Sequence, residues 1–293
     1  MGQEGIREEL GNLHGIPLYK VFIEGWPQVK DFQARPDDLL ISTYPKSGTT
    51  WLSEIMDMIY QDGDVEKCRR DAIYNRVPFL EVKAPGIPSG VEQLENTPSP
   101  RLVKTHLPVQ LLPQSFWDKD CKVMLQVPSA SLPIWVGREE ALLYLPTTSL
   151  FVSRSSTWPA TPRMLSSPTT TSTRWPKYTL TLAHWLSSWR PFWLAKDPRQ
   201  EVKKILQFLG KEVVEGTVER ILQNTSFQAM KKNPAANYET MPTALMDHNL
   251  SPFLRKGICG DWKNHFTVAQ NERFDRHYQE HMAGTDLHFQ MEM

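Results

Sequence analysis

Little in this chain marks a special compartment or a polyanionic partner. Cysteine is scarce: Cys68, Cys121 and Cys259 are three in 293 residues, widely spaced. An odd, sparse set is neither a disulfide framework nor a zinc motif, and a reducing cytoplasm is the expected location. There is no net charge, since 33 Lys and Arg balance 33 Asp and Glu. Neither a nucleic acid nor an anionic membrane surface is therefore an expected partner, although a local basic pocket remains open. No apolar run reaches the ~18 residues of a membrane span. The polar opening "MGQEGIREELGNLHG" lacks the apolar stretch of a signal peptide, and Ile6 breaks the myristoylation pattern after Gly2.

What is present reads as an α/β enzyme. "DDLLISTYP" (37–45) is a short apolar strand, "KSGTT" a small polar turn, and "WLSEIMDMIYQ" places Trp51, Leu52, Ile55, Met56 and Ile59 at helical spacing. "RLVKTHLP" and "DCKVMLQV" read as further strands. "EVKKILQFLG" (201–210) is an amphipathic helix stopped by Gly210, and "VVEGTVERILQ" and "TSFQAMKKN" are shorter helices. "VAQNERFDRHYQEHM" is a last polar helix.

Three stretches carry chemistry. A strand, then Lys46, Ser47, Gly48, Thr49 and Thr50, then a helix presents backbone N–H groups to a phosphate or sulfate. It is not Walker A, because GxxxxGK[ST] is missing, and no Walker-B acid is evident; this weighs against a nucleoside kinase or other P-loop enzyme. Lys104 and His106 are two apart at a strand end, so both face one side, where His106 suits a general base. Arg255, Lys256 and Gly257 in a loop suit a second phosphate. Each has a plainer alternative: a helix cap, a structural histidine, a surface charge pair.

Together, "STYPKSGTTW", "RLVKTHLP" and "RKGICGDWKNHFTVAQNERFD" resemble the cytosolic sulfotransferases, in the branch acting on phenols and amines. The resemblance covers 1 to about 123 and about 197 to 293. It implies a single α/β domain over 1–293, with a central parallel sheet and a phosphate-binding strand–loop–helix. It implies sulfuryl transfer from 3′-phosphoadenosine 5′-phosphosulfate (PAPS) to a small aromatic acceptor, with no metal. Lys46, Ser47, Gly48, Thr49, Thr50 and Trp51 would hold the phosphosulfate, with Trp51 also on the adenine. Lys46 would steady the leaving group, His106 deprotonate the acceptor, and Lys104 assist at the transferring group. Thr225 and Phe227 match positions near the adenine, and Arg255, Lys256 and Gly257 the 3′-phosphate loop. Phe22, Phe79, Tyr238 and Leu245 fall at acceptor-pocket positions, beside Lys104 and His106. Residues 263–272 match a homodimer motif, with Lys263, Thr267, Val268 and Glu272 at its key places.

Residues 124–196 break the resemblance. They hold two of the 33 acidic residues, Glu139 and Glu140, and six of the ten tryptophans. The family's "ARNAKDVxVSYYxF" segment, with an Arg and a Ser for the 3′-phosphate, is missing. Joining the last base of each codon to the first two of the next uncovers it. From Thr157–Trp158 onward the junctions permit Leu, Ala, Arg, Asn, Ala, Lys and Asp, and Pro168–Thr169 to Thr170–Thr171 permit Tyr three times. We read 157–196 as the family segment out of frame, with 125–156 unrelated to it; a genuine insert is the alternative. Lost ligands and a lost strand predict poor folding and little activity.

Overall fold

In this computed structural model, residues 10–43, 45, 48–83, 88–126, 134–135, 197–243, 245–257 and 264–282 are described. Lys46, Ser47, Lys263 and the stretch 157–196, read above as out of frame, lie outside them.

One strand organises the rest. β3 (Leu39–Thr43) is buried along its whole length. It pairs in parallel with β4 (Leu102–Thr105) on one side and β5 (Lys122–Gln126) on the other. A short antiparallel strand, β6 (Ile134–Trp135), joins β5, giving the order β4-β3-β5-β6. Parallel strands carry helices on both faces, so their side chains alternate between two cores. Leu39, Ile41, Leu102 and Met124 enter one core; Leu40, Val103 and Val123 enter the other.

The first core is closed by three helices: α2 (Thr49–Tyr60), α7 (Pro198–Leu209) and α8 (Thr217–Asn224). Between α2 and α7 in the chain come α3 (Val65–Cys68), α4 (Ile73–Arg76), α5 (Gly90–Glu95) and α6 (Gln114–Asp118). The second core packs under α5, α6 and α1 (Lys20–Lys30), which follows a hairpin of β1 (Leu10–Leu13) and β2 (Ile16–Tyr19). α7 shows why its sequence is helical. Asp197 caps it by accepting from the N–H groups of Arg199 and Gln200, Pro198 opens it, and Gly210 closes it at φ 66°. α9 (Phe227–Lys231) and the polar α10 (Val268–Met282) complete the elements described.

The single α/β architecture expected from the sequence is present, with β3, β4 and β5 as the parallel set. The antiparallel hairpin, β6 and α1 were not anticipated. α1 contains Gly25 and Pro27, poor helix formers, and forms because Val29 is buried in the second core.

Candidate functional site

β3 and β4 run the same way, so Thr43 and Thr105 end at one edge of the sheet. Crevices at the carboxyl ends of parallel strands are the usual ligand sites of α/β folds. Gly48 stands just beyond β3 at φ 91°, a left-handed backbone that glycine adopts without strain, and caps α2. The first turn of α2, with Thr49 and Thr50, therefore opens toward the strand ends with N–H groups that have no partner within the helix. Thr43 Oγ1 and Thr49 Oγ1 lie 2.5 Å apart, tying turn to strand. This is the geometry of an anion cradle.

His106 follows β4 at the same edge. Its Nδ1 donates to the Thr43 carbonyl at 2.8 Å, since a carbonyl only accepts. Neutral His106 thus carries its proton on Nδ1 and presents Nε2 as a base. Its backbone N–H donates to Glu81 Oε1, and Thr105 Oγ1 donates to Glu81 Oε2, both at 2.8 Å. Burial raises the Glu81 pKa, and these two hydrogen bonds oppose the rise. Glu81 fixes the histidine's backbone, a role the sequence reading missed. Its signal was one acid in an otherwise apolar run, "VPFLEV".

Lys104 is 0% exposed. It shares a strand face with Leu102 and so faces α2. Its Nζ donates to the Ile73 carbonyl at 3.4 Å and to the Tyr238 hydroxyl at 3.3 Å. Phe79 runs beside β4 and bridges the pair: its ring centre is 4.6 Å from Lys104 Nζ and 4.7 Å from that of His106. Lys104 and His106, expected to share one side, both approach the Phe79 ring. Burial lowers the Lys104 pKa to about 7, with Glu54 and Arg76 acting in opposite directions.

Behind Lys104 lies an ion cluster that the sequence reading also missed. Arg76 makes buried ion pairs with Glu54 and Asp57 of α2, and Arg70 reaches Asp57 at 2.7 Å. Arg76 also donates to the carbonyls of Asp71 and Ala235. It thereby joins α2, α4 and the segment leading to Tyr238. Burial pushes the Glu54 carboxyl up to about 7, against the pull of Arg76.

A second group gathers near α9. Trp51 Nε1 donates to the Thr225 carbonyl at 2.7 Å. Gly257, at φ 65°, lies so close to Phe227 that a Cβ there would overlap the ring. Trp51, Thr225, Phe227 and Gly257 thus form one locality, with half-buried Arg255 and exposed Lys256 just ahead of Gly257. An aromatic locality edged by cations suits a base and its phosphate. Phe22 instead packs edge-on to Tyr19, and half-buried Leu245 lies in a turn closed on Pro242. Thr267, Val268 and Glu272 are exposed at the start of α10.

The family model for the sulfotransferase domain matches residues 36–127 and 193–286, more than half of the chain. Sulfotransferase 1 family member D1 of Mus musculus is 46% identical over 292 residues, spanning 98% of this chain and 97% of that one. Sulfotransferase 1A1 of Bos taurus is 46% identical over 301 residues, covering 99% of both chains. Sulfotransferase 1E1 of Homo sapiens is 44% identical, covering 98% and 97%. Among solved structures, mouse sulfotransferase SULT7A1 complexed with PAP superposes with a TM-score of 0.54 at 27% identity, over 94% of this chain and 96% of that one. Retinol dehydratase with androsterone and PAP gives 0.61 at 19% identity, over 93% and 88%, a likeness of fold.

Proposed function

Because this chain belongs to the sulfotransferase family, we propose that its substrates are PAPS and the hydroxyl or amine of a small aromatic acceptor: a phenol, a catecholamine, a steroid-like compound or a xenobiotic. The observation that carries this reading is the His106 Nδ1 donation to Thr43 at 2.8 Å, beside the first turn of α2. It sets a base and an anion cradle at one strand edge. The residues present fit the donor: Gly48 takes the left-handed backbone that the cradle's turn requires, and Gly257 lets the chain lie close against the Phe227 ring in the aromatic locality. When bound, PAPS supplies the sulfuryl group and departs as the 3′,5′-bisphosphate.

His106 Nε2 takes the proton of the acceptor's O–H or N–H as that atom bonds to sulfur. Thr49, Thr50 and the backbone N–H groups of α2 bind the 5′-phosphosulfate with Lys46 and Ser47, and Lys46 neutralises charge on the leaving oxygen. Lys104 serves the transferring group as a cation or as a donor amine, since its pKa stands at about 7. Trp51, Thr225 and Phe227 hold the adenine, and Arg255, Lys256 and Gly257 the 3′-phosphate. Phe22, Phe79, Tyr238 and Leu245 line the acceptor side. No metal is required. A second copy of the chain docks through 263–272, where Val268 is 76% exposed. The buried free thiols of Cys68 and Cys121 suit the cytoplasm.

A second reading has its own support. The family match stops at 127 and resumes at 193, the interval in which the codon junctions hide the family's 3′-phosphate segment. On that reading the chain is a frameshift or splice product of a sulfotransferase locus, aberrant over 124–196, inactive, or acting only as a dimer partner. Thermal denaturation with 3′-phosphoadenosine 5′-phosphate (PAP) separates the two. A raised melting temperature, followed by sulfuryl transfer to a phenol, supports the enzyme; no cooperative melt or no shift supports the inactive product. Transcript sequence without the compatible codons removes the frame explanation.

A further inference from the structure

Phe227 and Lys231 open and close α9, four residues apart and so on one face of it. Both reach the same loop. The Phe227 ring lies against Gly257, whose φ of 65° and missing side chain allow the close approach. Lys231 Nζ donates to the Arg255 carbonyl at 3.1 Å and stands 5.7 Å from the centre of the Phe227 ring, within cation–π reach. The lysine's own backbone is held in turn, since Asn237 Nδ2 donates to its carbonyl at 3.1 Å. Lys231 is exposed, and among the described residues no carboxylate lies within ion-pair distance of it.

We propose that Lys231 is a positioning residue for recognition of the donor's 3′-phosphate, acting through the loop of Arg255, Lys256 and Gly257. This rests on the function proposed above and adds one residue to that part of the site. The Arg255–Lys256 peptide is planar and trans, so a carbonyl held on Lys231 turns the Lys256 N–H to the opposite side. One hydrogen bond thus sets the direction of the loop's peptide, while the contact of Phe227 with Gly257 sets its distance from the aromatic locality. The ammonium also adds positive charge beside the loop, which favours an anion there. A 3′-phosphate then meets a loop already ordered, and less lost freedom opposes its binding.

The test uses the full chain with Lys231→Met, which keeps an aliphatic stem, and Lys231→Arg, which keeps the charge and donors. Because Lys231 is exposed, both are expected to unfold at the wild-type urea midpoint. Trypsin cuts after Arg255, at the carbonyl that Lys231 holds. Without ligand, initial cleavage there, read by fragment mass, is expected to rise about threefold to tenfold in Lys231→Met and to stay near wild type in Lys231→Arg. Cleavage after Lys211, behind α7, is expected to stay level in both. By calorimetric titration, Lys231→Met is expected to weaken PAP about threefold to tenfold and to leave adenosine 5′-phosphate, which lacks the 3′-phosphate, unchanged. Unchanged cleavage, unchanged PAP affinity or an equal loss for both nucleotides overturns the proposal. A wild-type chain that binds neither nucleotide overturns the proposed function instead, and cleavage after Arg255 still decides whether Lys231 holds the loop.

Discussion

Arg101 and Lys104 are near neighbours on one strand path, and both are buried, at 1% and 0% exposure. Arg101, just ahead of β4, meets Asp38 through Nε at 2.8 Å and Nη2 at 2.5 Å, and donates to the carbonyls of Leu94 and Gln33. Four of its five N–H donors are engaged, two of them by one carboxylate, as suits a structural ion pair. Lys104, at the other end, has two long hydrogen bonds and, among the described residues, no carboxylate within ion-pair distance. Burial depth is equal; satisfaction is not. A buried cation with nearly every donor engaged has little capacity left for a ligand, whereas one held loosely can change charge or partner during a reaction.

The sharpest way to break this contrast is Arg101→Leu. It strands Asp38 as an unpaired buried charge and is expected to cost about 3–5 kcal/mol of stability, measured as a lowered urea midpoint. A small loss would mean that the pairing carries no structural weight. Lys104→Met is expected to do the opposite: a level or higher midpoint, with sulfuryl transfer to a phenol reduced about 10²–10³-fold. Loss of stability together with activity would place Lys104 beside Arg101 as a structural cation.

The pH dependence of stability sharpens the contrast next. Glu54 is raised from 4.5 to about 7 in the folded chain, so the native state holds the extra proton between those values. Stability therefore falls as pH rises through that window, and Glu54→Gln is expected to flatten the fall. Lys104 is lowered from 10.5 to about 7, so the unfolded chain holds the extra proton there. Stability then rises with pH from about 7 to 10.5, and Lys104→Met is expected to remove that rise. Urea midpoints across the range read both slopes. The smallest effect belongs to Arg70, whose side chain is 42% exposed where it meets Asp57. Arg70→Ala is expected to cost about 0.5–1 kcal/mol, because solvent screens the pair. A loss as large as that from breaking Arg76–Asp57 would show that exposure does not grade these pairs.

Much of the fold was legible because local signals agreed. The strand–turn–helix at 39–60, the Gly210 stop and the polar helix at 268–282 each follow from periodicity and caps. α1 was not legible, since Gly25 and Pro27 argue against the helix that burial of Val29 enforces. His106, Lys104 and the Gly48 turn were singled out from residue type and spacing. Glu81, Glu54 and Arg76 were not, because the contacts that matter join residues distant in the chain. Glu54 and Asp57 in a helix buried from 49 to 59 did carry a signal: acids there require cations from elsewhere.

The tether from His106 Nδ1 to the Thr43 carbonyl also governs traffic. With the rear nitrogen committed to the backbone, a proton gathered at Nε2 cannot be passed through the ring and out behind it unless that bond breaks. It must leave by the face on which it arrived. On the proposed function, a sulfate ester and the water that resets the histidine would share one doorway.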